Sequence, residues 1–362
     1  MPTPYGSASS DKALNNIKPE IRKAGGYTAP AQGRVVAKLN QNENPYDIPA
    51  SWKQEILGCM AGLAWGRYPD NQPRTLRERL ARRFGVGADQ IVLGHGSNQL
   101  LYLAFTAAVR PGDRVVLATP TFSLVETIAG HFQARLVPVM KSDDLTIPES
   151  RFLKAAAPAR LVFLCSPDNP TGLEIRPDFL ESVLQGTDGL VLWDEAYGEF
   201  GGQSAVPLIA EYPNLIVART FSKAFGLAGL RIGALIAHPA VAAELSKANI
   251  PYNLDLFSIR VAERLLEETE WMEDTVRRIV DEREKLFAAL KETGNVDPIP
   301  SRANFITFRV PDARTVLRRL EERGVLIRDM TGYPLLGNGL RVTVGTPGEN
   351  QAFLNALEDC LS

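Results

Sequence analysis

The stretch NLIVARTFSKAFGLAGLRIGALIA, residues 214–237, decides the fold. Its first part is an aliphatic and β-branched run without polar alternation, the pattern of a strand buried on both faces. Its last part, RIGALIA, reads the same way. Between them lies a glycine-rich link that puts Thr220, Phe221, Ser222 and Lys223 at the end of the first strand. Further runs of this kind lie upstream: DRVVLATP (113–120), ARLVPV (134–139), RLVFLC (160–165) and GLVLWDE (189–195). Helical stretches separate most of them. PRTLRERLARRF (73–84) spaces Leu76, Leu80 and Phe84 at helical intervals behind Pro73, and NQLLYLAFTAAVR (98–110) follows the short run IVLGHGSN (91–98). Strands alternating with helices predict an α/β protein with a mostly parallel central sheet.

The pattern changes after about residue 257. SIRVAERLLEETEWMEDTVRRIVDEREKLFAALKET (258–293) reads as one long charged helical stretch with at most one break. Strand-like NFITFRV (304–310), a helix in DARTVLRRLEERG (312–324), strand-like VLIRDM (325–330) and LRVTVG (340–345), and a last helix in ENQAFLNALEDCL (349–361) then form an α+β unit. The expected organisation is an N-terminal arm and substrate-side segment over 1–45, a large domain over 46–260, and a small domain over 261–362 that includes the linking helix. The arm is expected to belong structurally with the small domain.

Composition bounds the function. The 362 residues are 45% hydrophobic and 23% charged, enough apolar material for a large core. Forty basic against forty-two acidic residues give a net charge of −2. That balance offers no electrostatic footprint for nucleic acid or an anionic membrane, and it points to a small-molecule partner. Three scattered cysteines and three scattered histidines exclude a disulfide scaffold and argue against a metal site. The N-terminus MPTPYGSASSDKALNN lacks an apolar signal region, and no apolar run reaches the roughly 18 residues of a membrane span, so a cytoplasmic location is expected.

Ligands of an open α/β sheet gather outside the carboxyl ends of its strands. Three such ends carry polar groups. GLVLW ends in Asp194, Glu195, Ala196 and Tyr197; RLVFLC ends in SPDNPTG (166–172), with Asn169; NLIVAR ends in Thr220, Phe221, Ser222 and Lys223. A lysine amine forms Schiff bases with aldehydes. An aspartate facing an aromatic nitrogen holds it protonated, because a carboxylate favours an adjacent cation. An amide and a phenol can donate to a phenolate oxygen. Together these groups describe a site for pyridoxal 5′-phosphate (PLP). The strand-to-helix turn GHGSNQ (94–99) opens the N–H groups of Ser97 and Asn98 to an anion. Arg231, eight residues after Lys223, offers a guanidinium fork for phosphate, with Ser222 adding a hydroxyl. A dinucleotide fingerprint would need a third glycine at 99, where Gln stands.

These motifs run in register with KLNQNENPY (38–46), RYPD (67–70), TPTFSLVE (119–126), SRANFI (301–306), IRDM (327–330) and LRVTVGT (340–346), across nearly the whole chain. On them the chain resembles the fold-type I PLP-dependent aminotransferases, and within these the histidinol-phosphate aminotransferases. The resemblance implies that Lys223 is the Schiff-base lysine and proton shuttle, and that Asp194 partners the pyridine nitrogen. It makes Tyr197 and Asn169 donors to the ring oxygen, and Ser97, Asn98, Ser222 and Arg231 ligands of the phosphate. Phe122 falls at the ring-stacking position, where the family usually has Tyr. Tyr68 would reach the phosphate of a neighbouring subunit, which implies a homodimer. Arg341 and Arg328 would bind the far anionic group of the substrate, with Asn44 and Tyr27 also on the substrate side. The implied partners are an amino donor, foremost L-histidinol phosphate, and a 2-oxo acid acceptor, 2-oxoglutarate, yielding imidazole acetol phosphate and L-glutamate.

Two departures bear on the substrate. IKPEIRKAGGY (17–27) has Glu20 after Pro19 where the family often has Tyr, and Gln99 stands where an acid often follows the glycine turn. Glu20 is expected to be a solvated acid. Three rivals stay open on the same scaffold: an aromatic amino-acid aminotransferase, a threonine-phosphate decarboxylase, and a domain turned into a binding or regulatory module. The intact set Lys223, Asp194, Asn169 and Tyr197 argues against the last.

Overall fold

The computed structural model describes residues 13–23 and 35–361. Its strands, in chain order, are β1 (Ala37–Lys38), β2 (Ile91–His95), β3 (Arg114–Thr119), β4 (Arg135–Met140), β5 (Leu161–Cys165), β6 (Leu190–Asp194), β7 (Leu215–Thr220), β8 (Ile232–Ala237), β9 (Asp297–Pro298), β10 (Phe305–Arg309), β11 (Val325–Leu326), β12 (Arg328–Asp329) and β13 (Gly339–Thr343).

The main sheet has the order β2-β8-β7-β6-β5-β3-β4. β8 runs antiparallel to both neighbours, and the other pairings are parallel. Every residue of β5, β7 and β8 is buried, because helices cover both faces. Successive side chains go to opposite layers. Val115 and Leu117 join Leu100 and Phe105 of the helix Gly96–Ala108 in one cluster. Val116 and Ala118 join Phe152, Phe179 and Val183 in another, against the helices Glu149–Ala156 and Pro177–Gly186. Two apolar layers explain why these strands show no polar alternation. Each fully buried Val, Leu or Phe contributes about 1.5–3 kcal/mol of transfer free energy before entropy is counted.

The helix Arg74–Phe84 buries Leu76 and Leu80 and ends at Gly85, whose φ of 67° is left-handed. A second sheet, order β12-β13-β10-β9, is antiparallel throughout. β1 pairs in parallel with β11, and the Leu39 N–H donates to Leu326 O at 2.7 Å. Residues 37–39 are therefore stitched to the C-terminal unit. The stretch read as one strand over 325–330 divides at buried Ile327, and its halves enter different sheets. The stretch over 258–293 is two helices, Leu256–Leu265 and Glu270–Glu292, and Asp255 caps the first by accepting from the Ser258 N–H at 2.8 Å. One apolar cluster joins Leu76, Leu80 and Phe200 to Leu286, Phe305 and Phe353, so no apolar gap separates the two sheets' supports. Among the described residues no helix is long and apolar enough to cross a membrane.

Candidate active site

The sheet register brings three strand ends together. Cys165 pairs with Asp194, and Asp194 with Ala218, so the loops after β5, β6 and β7 leave the sheet side by side. Asp194 is 3% exposed, and its Oδ1 accepts the Ala196 N–H at 2.9 Å. Burial pushes its carboxyl up to about 6; the Ala196 N–H opposes this, Glu195 and Asp168 add to it, and Lys223 opposes it weakly. A cation held against this carboxylate would relieve the burden of burying a charge.

Lys223 is half-buried, and its Nζ donates to Gln41 O at 2.8 Å and stands 5.9 Å from the Tyr197 ring centre. Burial, then the positive charges of Arg341, Arg231 and Lys38, lower the amine to about 7 against the pull of Glu43. An amine that is substantially neutral at physiological pH is a nucleophile and a usable base.

Tyr197 is buried, and its Oη accepts from Asn42 Nδ2 at 3.0 Å and Asn169 Nδ2 at 3.4 Å. Its ring meets Phe305 edge-on at 5.2 Å and 83°, and burial raises the phenol. Asn169 Oδ1 accepts from Arg341 Nη1 at 2.6 Å, which ties the loop after β5 to β13. The Arg341 guanidinium also donates to Asn40 O at 3.4 Å and lies 5.1 Å from the Phe305 ring centre. Arg328 on β12 is the register partner of Arg341. Directly opposed residues of an antiparallel pair point to the same face, so the two arginines share one.

The candidate phosphate cradle lies where β2 turns into the helix Gly96–Ala108. Gly96 has φ 75°, and a Cβ there would strike the Arg231 guanidinium; a Cβ at Gly233 would lie 2.7 Å from Ser97 N. Arg231 itself has φ 52°, an uncommon conformation for a residue with a side chain. Its Nη1 donates to Ser222 Oγ and to Ala228 O, each at 3.0 Å. Ser97, Ser222 and Arg231 thus converge, with exposed Asn98 in the same first helical turn. Gln99 is spent on the fold: its Oε1 accepts the His95 N–H at 3.1 Å and its Nε2 donates to Asn249 Oδ1 at 3.2 Å.

Other sequence-expected residues lie apart. Phe122 is half-buried on the turn after β3. Tyr68 is 81% exposed and stacks on Tyr252 at 4.5 Å, and within one chain it does not join the Lys223 group. Asn44 Nδ2 donates to Ala224 O at 3.0 Å and Thr275 Oγ1 at 3.4 Å, so its amide anchors the segment after Lys223. Tyr27 falls outside the described residues. Glu20 accepts from Gln133 Nε2 at 2.6 Å, and that bond holds its carboxyl below the usual range.

The structure adds groups that the sequence reading did not single out. Asn42 contacts Tyr197, and the Gln41 carbonyl holds Lys223. A run with asparagine at 40, 42 and 44 gives no signal for which one turns inward, and a backbone carbonyl has no sequence signature.

PLP asks for an amine, a carboxylate for its ring nitrogen, donors for its ring oxygen and a cradle for its phosphate. Lys223, Asp194, the Tyr197–Asn169 pair and the Gly96–Arg231 turn fit those four demands, and the missing Cβ at Gly96 leaves the guanidinium its place.

Residues 34–357 match the family of class I and II aminotransferases. A histidinol-phosphate aminotransferase of Chlorobium phaeovibrioides is 39% identical over 95% of this chain and 96% of its own length. The crystal structure of histidinol-phosphate aminotransferase from Sinorhizobium meliloti in complex with PLP superposes with a TM-score of 0.86 at 25% identity, covering 96% of this chain and 97% of that one. The L-threonine-O-3-phosphate decarboxylase of Porphyromonas gingivalis has the same fold, with a TM-score of 0.76 at 23% identity over 90% of this chain and 99% of its own. With the similarity running almost end to end through the residues that converge on Lys223, the chain belongs to the class I and II aminotransferase family.

Proposed function

We propose that this PLP-dependent aminotransferase moves the amino group of L-histidinol phosphate to 2-oxoglutarate, giving imidazole acetol phosphate and L-glutamate. The reading rests on full-length similarity to relatives of that name. The observation that carries it is the placement of Arg341, buried and bonded to Asn169, on one sheet face with Arg328. Paired guanidiniums suit a dianionic phosphate, and they also suit the carboxylate of the acceptor.

PLP, when bound, supplies an aldehyde carbon that captures amines and a protonated ring that draws electrons from the substrate α-carbon. Lys223 Nζ would hold the cofactor at its aldehyde carbon. The same Nζ would move a proton between the substrate α-carbon and the cofactor's C4′, work suited to an amine near 7. Asp194 holds the proton on the ring nitrogen. Tyr197 Oη and Asn169 Nδ2 orient the ring oxygen, and Ser97, Asn98, Ser222 and Arg231 hold the phosphate. Phe122 would lie against the ring. The proposed assembly is a cytoplasmic homodimer in which Tyr68 reaches the neighbouring subunit's phosphate; its 81% exposure supports this.

A panel of amino donors in single turnovers tests the substrate. Histidinol phosphate should bleach the enzyme's visible band fastest. Faster bleaching by phenylalanine would make the chain an aromatic aminotransferase, and carbon dioxide released from threonine phosphate would make it a decarboxylase.

A further inference from the structure

The ends of β3, β4 and β5 carry a buried polar cluster that the chemistry above does not use. Asp168, three residues past β5, is 2% exposed. Its Oδ2 accepts from Lys141 Nζ at 2.7 Å and Thr171 Oγ1 at 2.8 Å, and its Oδ1 accepts from Thr121 Oγ1 at 2.7 Å. Lys141 directly follows β4, and its side chain is 4% exposed. Asp168 also closes its own turn, donating its N–H to Leu173 O at 2.8 Å and accepting the Gly172 N–H at 2.7 Å.

A buried ion pair adds little net stability, because desolvation offsets most of the attraction. Its effect is geometric. Three loops leaving three strands are fastened at one carboxylate, and the residue next to it in sequence, Asn169, belongs to the site. Phe122 follows Thr121, and Asn169 follows Asp168. Asn169 reaches Arg341 on one side and Tyr197 on the other, so its amide has little room for a backbone shift. Without Lys141, Asp168 would be a lone buried carboxylate close to Asp194. Left with two hydroxyl donors, Thr121 and Thr171, for a buried charge, it would shift or draw in water, and the turn that carries Asn169 would move with it.

We propose that Lys141 and Asp168 form a positioning pair that locks Asn169 in the orientation needed to hold the cofactor's ring oxygen. The inference rests on the PLP reading of the Lys223 site. Binding of PLP by the unmodified chain, stripped of cofactor, tests that reading before any variant is made.

The pair is then tested by a double-mutant cycle on PLP affinity, measured by absorbance titration of the cofactor-free chain. Lys141→Met should weaken PLP binding about tenfold when Asn169 is present and less than about twofold in an Asn169→Ala background, the non-additivity expected of contacting groups. Equal weakening in both backgrounds, or none in either, overturns the proposal. If Lys141→Met fails to fold, Lys141→Met with Asp168→Asn removes both charges and keeps acceptor and donor atoms for the threonines. This double variant should show a smaller loss, about threefold, that again disappears with Asn169→Ala. Unchanged affinity in it would equally overturn the assignment.

Discussion

At the residue scale, the proposed chemistry rests on two groups whose charges the fold makes costly. Lys223 is pulled down to about 7 by burial and by Arg341, Arg231 and Lys38. A protonated amine cannot attack an aldehyde, so the rate of PLP capture by the cofactor-free chain should rise about tenfold per pH unit up to about pH 7 and level off above it. An ordinary lysine would keep rising toward about pH 10, and stopped-flow absorbance across this range separates the two. Arg341→Gln removes the largest charge contribution and should move the midpoint upward. Asp194 gives the complementary prediction. In Asp194→Asn the amide oxygen can still accept the Ala196 N–H, so the melting temperature should hold while kcat falls about 10²–10³-fold, the range seen when one stabilising electrostatic group is lost. Unchanged turnover would remove Asp194 from the ring nitrogen. Lys223, Asp194, Tyr197 and Asn169 were legible in the sequence because each stands at a strand end beside a turn. Asn42 and Lys141 were not, since their partners lie 155 and 27 residues away.

At the scale of elements, the strands were legible because two apolar layers impose an unbroken aliphatic run. The direction of β8 was not. It returns from β7 through a short link, residues 221–231, and RIGALIA looks the same in either direction. The division of residues 325–330 between two sheets was also hidden, since it depends on β1 arriving from far upstream. The turn from β2 into the helix Gly96–Ala108 yields a prediction of its own. Gly96 has φ 75° and no space for a Cβ beside Arg231. Gly96→Ala therefore adds roughly 1–3 kcal/mol of backbone strain and displaces the guanidinium. PLP affinity should drop about tenfold or more, as when a charge-assisted bond worth about 1.5–3 kcal/mol is lost. Pyridoxal, which lacks the phosphate, should bind the variant and the original alike. A parallel loss for pyridoxal would place the damage elsewhere than the phosphate cradle.

For the whole molecule, the change of pattern after about residue 257 suggested a large and a small domain, and the charge balance pointed to a small-molecule partner. One apolar cluster runs on from one sheet's supports to the other's, and the near-neutral total conceals basic side chains, Arg231 and Arg341, close enough to Lys223 to depress its amine. The surface also shows an apolar group: Trp65 at 74%, Tyr68 at 81%, Ile250 at 61% and Tyr252 at 47% exposure, with Tyr68 stacked on Tyr252. Clustered exposed aromatics mark an interaction surface. In the proposed homodimer, Tyr68 serves the neighbour's site and Lys223 its own. Complementation tests that arrangement. Lys223→Ala and Tyr68→Ala chains are each impaired alone. When they are unfolded together and refolded at equal amounts, half the dimers are mixed, and each mixed dimer has one site lacking both residues and one site lacking neither. Activity should recover to about a quarter of the original, as two-fold symmetry requires. If Tyr68 acts within its own chain, no mixed dimer contains an intact site, and activity stays at the average of the two parents.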